Sequence, residues 1–127
     1  MKLDIELIKT ILKAVQERGD RVNIKSLGID GLMEFVPNYD DEKKEDTDKV
    51  LGHFHFLIDE GFIEGTVGNI ATSHRIKDLT LWGHQLLESI ENDNIWNKIK
   101  NITKEVTKEG IKQMPALALG LLLKMAG

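Results

Sequence analysis

Apolar residues recur with helical spacing at the start of the chain. The apolar positions of this first pattern are Ile5, Ile8, Ile11, Leu12 and Val15. Asp4 before them is a good N-cap residue, and Gly19 after them is a typical helix stop. The pattern therefore predicts a helix over about residues 4–18, with one face buried.

The next stretch gives a weaker pattern. Between Val22 and Pro37 the apolar residues are interrupted by Gly28 and Gly31. Asp30 in this stretch is able to cap a short helix. We expect that helix to end at about residue 35, before the turn signal at Pro37-Asn38.

A third helix is predicted after the charged run at residues 40–48, which we expect to be a solvated loop or a frayed helix start. Asp46, Thr47 or Asp48 is expected to cap this helix, and Gly61 is its expected stop. Its predicted apolar face consists of Val50, Leu51, Phe54, Leu57 and Ile58.

The pattern then changes to that of strands. Phe62, Ile63, Thr66 and Val67 predict a short strand, and Gly68-Asn69 is a turn signal. Residues 72–79 predict a second strand, with Ile76 and Leu79 facing inward. Together the two strands predict a β-hairpin.

Helices are predicted again after the hairpin. Thr80 is the expected N-cap of a helix that carries Leu81, Leu86, Leu87 and Ile90. A further helix carries Ile95, Trp96, Ile99, Ile102 and Val106. Gly110 is expected to interrupt this further helix. Pro115 is expected to begin a last helix that runs to about Met125.

This order of elements predicts a winged helix-turn-helix. The expected fold class is α+β and mostly α, with three helices, a β-hairpin wing and additional C-terminal helices. Residues 1–92 are expected to form the winged-helix domain. Residues 93–127 are expected to form a helical extension that packs on the domain or makes a dimer interface.

Composition narrows the class of protein. The chain has 127 residues, which is enough for one domain with one core, and its formal net charge of -4 argues against a surface that grips phosphates throughout. It has no cysteine, and no signal peptide is visible at its start. Residues 114–126 are apolar but shorter than the ~20 residues of a membrane span. We expect a cytoplasmic protein that does not cross a membrane.

Two stretches resemble a known family. Residues 53–63 read HFHFLIDEGFI, and residues 79–87 read LTLWGHQLL, continued by NDNIWNK at 92–98. They resemble the family of small bacterial and prophage proteins called domain of unknown function 2513, similar in plan to the YjcQ-like winged-helix proteins. The matching residues are His53, Gly61, Ile63, Leu79, Thr80, Gly83, His84, Leu87, Trp96 and Lys98. The chain departs from the pattern at Glu60, where the family prefers Ala, and at Leu86, where Phe is usual. The resemblance implies the winged-helix fold and a prophage or mobile-element setting, and it brings no catalytic residues.

Catalytic or metal chemistry is not expected. His53 and His55 are two residues apart, which on a helix separates them by roughly 200°, so they cannot chelate one ion there. No serine stands in a nucleophile motif, and no glycine-rich phosphate loop is present. We therefore expect neither an enzyme nor a bound cofactor or metal.

The candidate contact residues lie on the third helix and the wing. Lys49 and His53 on the helix, with Arg75 and Lys77 on the wing, are the expected contacts to double-stranded DNA. Phe56 is placed by the helical wheel on the outward face, where it suits contact with a protein better than contact with DNA. The alternative is that the C-terminal helix covers it.

A second basic feature lies further along the chain. Lys100, Lys104, Lys108 and Lys112 are each four residues apart and form one stripe if Gly110 does not break the helix. Because Glu105 and Glu109 lie beside it, a solvated charged face is the favoured explanation, and a contact to phosphates is the other.

The last predicted helix is apolar nearly all round, which is typical of a helix buried on several sides. A homodimer interface is the expected explanation, with packing on the first helix as an alternative and membrane-surface binding as a third. The expected interface residues are Leu117, Leu119, Leu121, Leu122 and Leu123.

The sequence thus favours a non-enzymatic winged-helix binding protein. The first hypothesis is a DNA-binding transcriptional regulator of a phage or mobile element. The alternative is a protein–protein interaction module, such as a phage-encoded modulator of a host protein.

Overall fold

The computed structural model describes residues 3–18, 26–69, 73–94, 96–97 and 108–116. In these ranges the named elements are α1 (Ile5–Arg18), α2 (Ile29–Met33), α3 (Lys44–Asp59), β1 (Ile63–Thr66), β2 (Arg75–Leu79) and α4 (Leu81–Glu91). The two strands form an antiparallel sheet. The predicted class, α+β and mostly helical, is confirmed at this level.

Helix α1 begins as its sequence predicts. Asp4 Oδ1 accepts hydrogen bonds from the backbone N–H of Glu6 at 3.0 Å and of Leu7 at 3.2 Å. These bonds satisfy donors that a helix start leaves without partners. The buried positions of α1 are Leu7, Ile8, Ile11, Leu12 and Val15. They line the core that the other elements complete.

Helices α2 and α3 both begin earlier than predicted. Gly28 precedes α2, so Asp30 lies in the first turn instead of capping it. Helix α3 follows Lys43, which makes no side-chain cap. The expected cap residues have other partners: Asp46 Oδ2 accepts from the N–H of Asp40 at 2.8 Å, and Thr47 is buried. Acidic side chains in the first turn of α3 favour this start through the helix dipole.

The hairpin carries a bulge that its sequence does not reveal. Ile63 pairs with Leu79 and Glu64 with Asp78, but the register shifts between Glu64 and Gly65. A Cβ atom at Gly65 would overlap the carbonyl oxygen of Arg75, so glycine is needed for this close approach. Ile76 and Leu79 face inward as predicted.

A short segment before α2 also pairs with the hairpin. Leu27 and His74 form an isolated antiparallel bridge, in which each N–H donates to the other residue's carbonyl at 2.7 Å. The bridge holds residues 26–28 against the chain that enters β2.

Helix α4 is placed by contacts at its first turn. Thr80 Oγ1 accepts from the Gly83 N–H at 3.0 Å, which confirms the predicted cap, and its hydroxyl donates to the Gly61 carbonyl at 2.6 Å. Gly61 has φ +80°, a conformation that favours glycine. A Cβ at Gly83 would overlap the Phe62 carbonyl, so this turn packs directly on the chain that enters β1.

Residues 108–116 are helical through both Gly110 and Pro115. The predicted interruption at Gly110 and the predicted helix start at Pro115 are therefore wrong. Ile111 and Met114 from this helix belong to the same buried cluster as α1 and α3. The division into a domain over 1–92 and an extension over 93–127 stays a prediction. Among the described residues, no helix is both long and apolar enough to cross a lipid bilayer.

Candidate binding surfaces

His53 lies in the core and not on the contact surface predicted for it. Its side chain is fully buried. Nε2 accepts from the backbone N–H of Asp4 at 2.9 Å, and Nδ1 therefore carries the proton and donates to the Lys49 carbonyl at 2.8 Å. Burial lowers the pKa of His53, against the opposing effect of its bond to the Lys49 carbonyl. His53 links the start of α1 to α3.

Phe56 is also buried, with 5% of its surface exposed. Its ring packs on Phe62, with the ring centroids 6.4 Å apart. The prediction of an outward Phe56 is wrong because α3 is covered over a wider arc than its main apolar stripe. Val50, Phe54 and Leu57 form that stripe, and His53 and Phe56 extend it.

Lys49 is only partly exposed, and its charge is paired. Its Nζ lies 2.9 Å from Asp4 Oδ2, and it also lies 5.5 Å from the centre of the Tyr39 ring. The hydrogen bond to Asp4 raises the pKa of Lys49, and the same bond lowers the pKa of Asp4. Lys49 therefore offers less to an incoming phosphate than a solvated lysine does.

The two basic residues predicted on the wing differ in environment. Arg75 at the start of β2 is exposed. Lys77 is half-buried, and its Nζ lies 3.7 Å from Glu64 Oε1 on the paired strand. Of the four residues predicted to contact DNA, Arg75 is exposed, and the other three are buried or half-buried.

The lysine stripe is only partly described. Lys108 is exposed, and Lys112 lies between Glu60 at 3.4 Å and Glu109 at 3.5 Å. Lys100 and Lys104 lie outside the described residues, so the stripe stays a prediction. The predicted dimer-interface residues, Leu117, Leu119, Leu121, Leu122 and Leu123, lie outside them as well.

The outer face of α3 follows one helical stripe of exposed or half-exposed residues. These are Lys44, Asp48, Gly52, His55 and Asp59. Their spacing of three or four residues places them on one side of the helix. The stripe holds one lysine and two carboxylates, and it has no Arg, Asn or Gln with which to read base edges. His55 lies on this face, where the helical wheel predicts Phe56.

A pair of histidines, here called the hairpin-loop pair, contacts one glycine at the loop end of the hairpin. His55 Nε2 donates to the Gly68 carbonyl at 2.9 Å, and His74 Nδ1 accepts from the Gly68 N–H at 3.2 Å. His74 is fully buried, and its Nε2 has no hydrogen-bond partner among the described residues. Burial, and then the nearby charge of His55, lower the pKa of His74. The described ranges contain no group of three or more side chains placed to hold a metal ion.

Two large apolar side chains are exposed at the start of α4. Leu81 is 76% exposed and Trp82 is 38% exposed. We call them the α4 apolar pair. The buried face of α4 includes Gly83, Leu86 and Ile90. A signal was present in the sequence, since Leu81 lies nine residues before Ile90 and therefore on the opposite side of the helix.

Comparisons with known proteins place this chain among relatives whose function is not described. An uncharacterized protein of Haemophilus influenzae is 29% identical over 129 residues, which cover 97% of this chain and 99% of the relative. No solved structure matches the chain. The model of the family described as "Hypothetical protein (DUF2513)" matches residues 2–110. This match confirms the resemblance seen in the sequence, and the chain belongs to the DUF2513 family.

Proposed function

We propose that this chain is a non-enzymatic winged-helix protein of bacterial or prophage origin that binds a protein partner in the cytoplasm. The order α1, bridge at Leu27, α2, α3 and hairpin supports the winged-helix assignment. The bridge joins Leu27, in the segment before α2, to His74 at the start of the second strand of the hairpin. The proposed similarity in plan to the YjcQ-like proteins rests on this order.

The observation that supports binding to a protein partner is the exposed α4 apolar pair. Trp82 and Leu81 expose apolar surface side by side, although other large apolar side chains of the described residues are buried or half-buried. Tryptophan is among the residues that contribute most to protein–protein binding, because it brings a large, rigid area to a contact. The pair begins a helix whose first turn is fixed by Thr80, so it is presented on a rigid support.

Charge on α3 also favours a protein over DNA. The helix that a winged-helix protein inserts into the major groove here presents Asp48 and Asp59, which repel phosphates. Lys49 is paired with Asp4, and His53 is in the core. The winged-helix order is compatible with binding to either DNA or protein. The exposed side chains favour a protein as the partner.

The test compares the wild type with Trp82→Ala in capture from a lysate of the source bacterium, followed by calorimetry with the purified partner. We expect one specific partner, and a Kd at least about 30-fold higher for the variant, as for an interface hot spot of ~2 kcal/mol. Lys13→Ala on the exposed side of α1 is the matched control and should leave the Kd unchanged. Circular dichroism of both variants shows that the fold is kept.

Duplex DNA is the second candidate, and the exposed Arg75 on β2 is the observation that favours it. Fluorescence anisotropy with duplex DNA in about 50 mM salt separates the two candidates, since phosphate contacts are strongest at low salt. Micromolar binding that weakens steeply with added salt, without a partner whose capture depends on Trp82, would replace the protein hypothesis with the DNA hypothesis.

A further inference from the structure

Three separate segments of the chain meet at His74. Its backbone pairs with Leu27 in the segment before α2, with both hydrogen bonds at 2.7 Å. Its ring accepts from the Gly68 N–H, beyond the end of β1. Gly68 in turn accepts from His55 on α3. His74 therefore connects two segments directly, the segment at residues 26–28 through its backbone and the Gly68 turn through its ring, and it connects α3 indirectly through Gly68 and His55.

We propose that the hairpin-loop pair, His55 and His74, is an acid-sensitive latch at the loop end of the hairpin, in which neutral His74 holds Gly68 and protonation of His74 releases it. This inference does not depend on whether the partner is a protein or DNA. It concerns the closed and open forms of the hairpin in the isolated chain.

The hydrogen bond to Gly68 determines which form of the imidazole fits. Because a backbone N–H is always a donor, Nδ1 of His74 must be the unprotonated nitrogen, and Nε2 carries the proton of the neutral ring. A second proton has to bind at Nδ1. It would then face the Gly68 N–H, so that two donors point at each other and the bond is lost.

The charges around His74 act in the same direction. His55 faces it from α3, and on β2 the adjacent Arg75 carries its charge at the surface. The hairpin and the segment before α2 contribute backbone groups, from Gly68 and Leu27. A cation on the buried ring therefore meets the charge of His55 from α3, which adds to the cost of removing it from water.

The direction of the pH effect follows from the lowered pKa of His74. Its ordinary pKa is 6.5, and burial followed by the charge of His55 lowers it in the closed form. In the open form the ring is solvated and binds a proton more readily. The latch is therefore fully stable above pH 6.5 and weakens as the pH falls from 6.5 toward the lowered pKa. Since opening takes up one proton in this range, the opening equilibrium rises up to about tenfold per pH unit.

Amide hydrogen exchange measured by NMR on the full chain tests this inference. We expect the protection factor of the Gly68 amide, corrected for the intrinsic exchange rate, to fall up to about tenfold per pH unit below pH 6.5. The Leu27 and His74 amides should follow it. The Ile8 amide in α1 should not, which separates local opening from unfolding of the whole chain.

The matched control is His74→Asn, because the asparagine Oδ1 is able to accept from Gly68 but does not titrate. Its protection factor at Gly68 should not depend on pH. If this variant does not fold, His55→Gln decides the question. Removing the neighbouring charge should raise the pKa of His74 in the closed form, so the fall in protection should still begin near pH 6.5 but level off at a higher pH and be smaller in total.

Three results would overturn the latch. The first is a Gly68 protection factor that stays constant between pH 7.5 and 5. The second is the same pH dependence in His74→Asn, which would assign it to another group. The third is equal loss of protection at Gly68 and Ile8, which would mean that acid unfolds the whole protein.

Discussion

His53 and His74 are both fully buried imidazoles, yet their ring nitrogens differ in hydrogen bonding. His53 uses both ring nitrogens: Nε2 accepts from Asp4 and Nδ1 donates to Lys49. His74 uses Nδ1, and in the part of the chain that the structure describes its buried Nε2 has no partner. Burial lowers the pKa of both. The burial of a polar side chain therefore does not by itself measure its contribution to stability. That contribution depends on whether its polar atoms form hydrogen bonds.

The segments that the two rings join differ as well. His53 connects two long helices, and the Asp4 that it contacts also caps α1 and pairs with Lys49. His74 connects a loop residue, Gly68, and an isolated bridge at Leu27. The contacts of His53 therefore share residues and connect two long helices. The contacts of His74 connect short segments. The end of the molecule near His53 is expected to be the more stable one.

The largest effect is expected for His53→Ala. The change leaves the Asp4 N–H without its acceptor and opens a cavity between α1 and α3, so we expect a loss of about 3 kcal/mol in the free energy of unfolding. Urea denaturation followed by circular dichroism measures it. Asp59→Ala on the exposed side of the same helix is the control and should cost clearly less. Equal costs would show that the bonds of His53 add nothing.

A smaller effect is expected for His74→Ala. The cavity and the lost bond to Gly68 are unfavourable, but the change also removes the orphaned Nε2 donor, so we expect a net loss of about 1 kcal/mol. The same urea experiment measures it. A loss as large as that of His53→Ala would contradict the comparison between the two histidines.

The smallest effect is expected for Asp4→Asn. Asparagine keeps the N-cap of α1 and loses only the partly exposed ion pair with Lys49, so Asp4→Asn should cost about 0.5 kcal/mol or less. Asp4→Ala also removes the cap and should cost about 1 kcal/mol more. Thermal melting of the two variants side by side separates the cap from the ion pair. If Asp4→Asn is as damaging as Asp4→Ala, the charge and not the cap stabilises this end.

Local signals predicted the parts of the fold that local forces determine. The period of α1 and its Asp4 cap, the inward Ile76 and Leu79, and the Thr80 cap all occur as expected. Each of them depends on residues within a few positions along the chain, where a hydrogen bond or one strand face is enough to select the conformation.

The candidate site was predicted less well because it depends on contacts between distant segments. The helical wheel gave α3 a single buried stripe, but Phe62 packs on Phe56 and the N–H of Asp4 reaches His53 from 49 residues away. Phe56 and His53 are therefore buried and not on the predicted surface. His55 and the α4 apolar pair took their place among the accessible residues.

The sequence by itself determined where most elements lie and which family the chain belongs to, because spacing, caps and turn residues act within one or two turns of the chain. Only the tertiary structure decided which side of α3 meets solvent and which histidines are satisfied. The burial and hydrogen bonding of a side chain depend on which other segments pack against it. The spacing of apolar residues within α3 therefore cannot predict its contacts with Asp4, Phe62 or Gly68, which lie outside the helix.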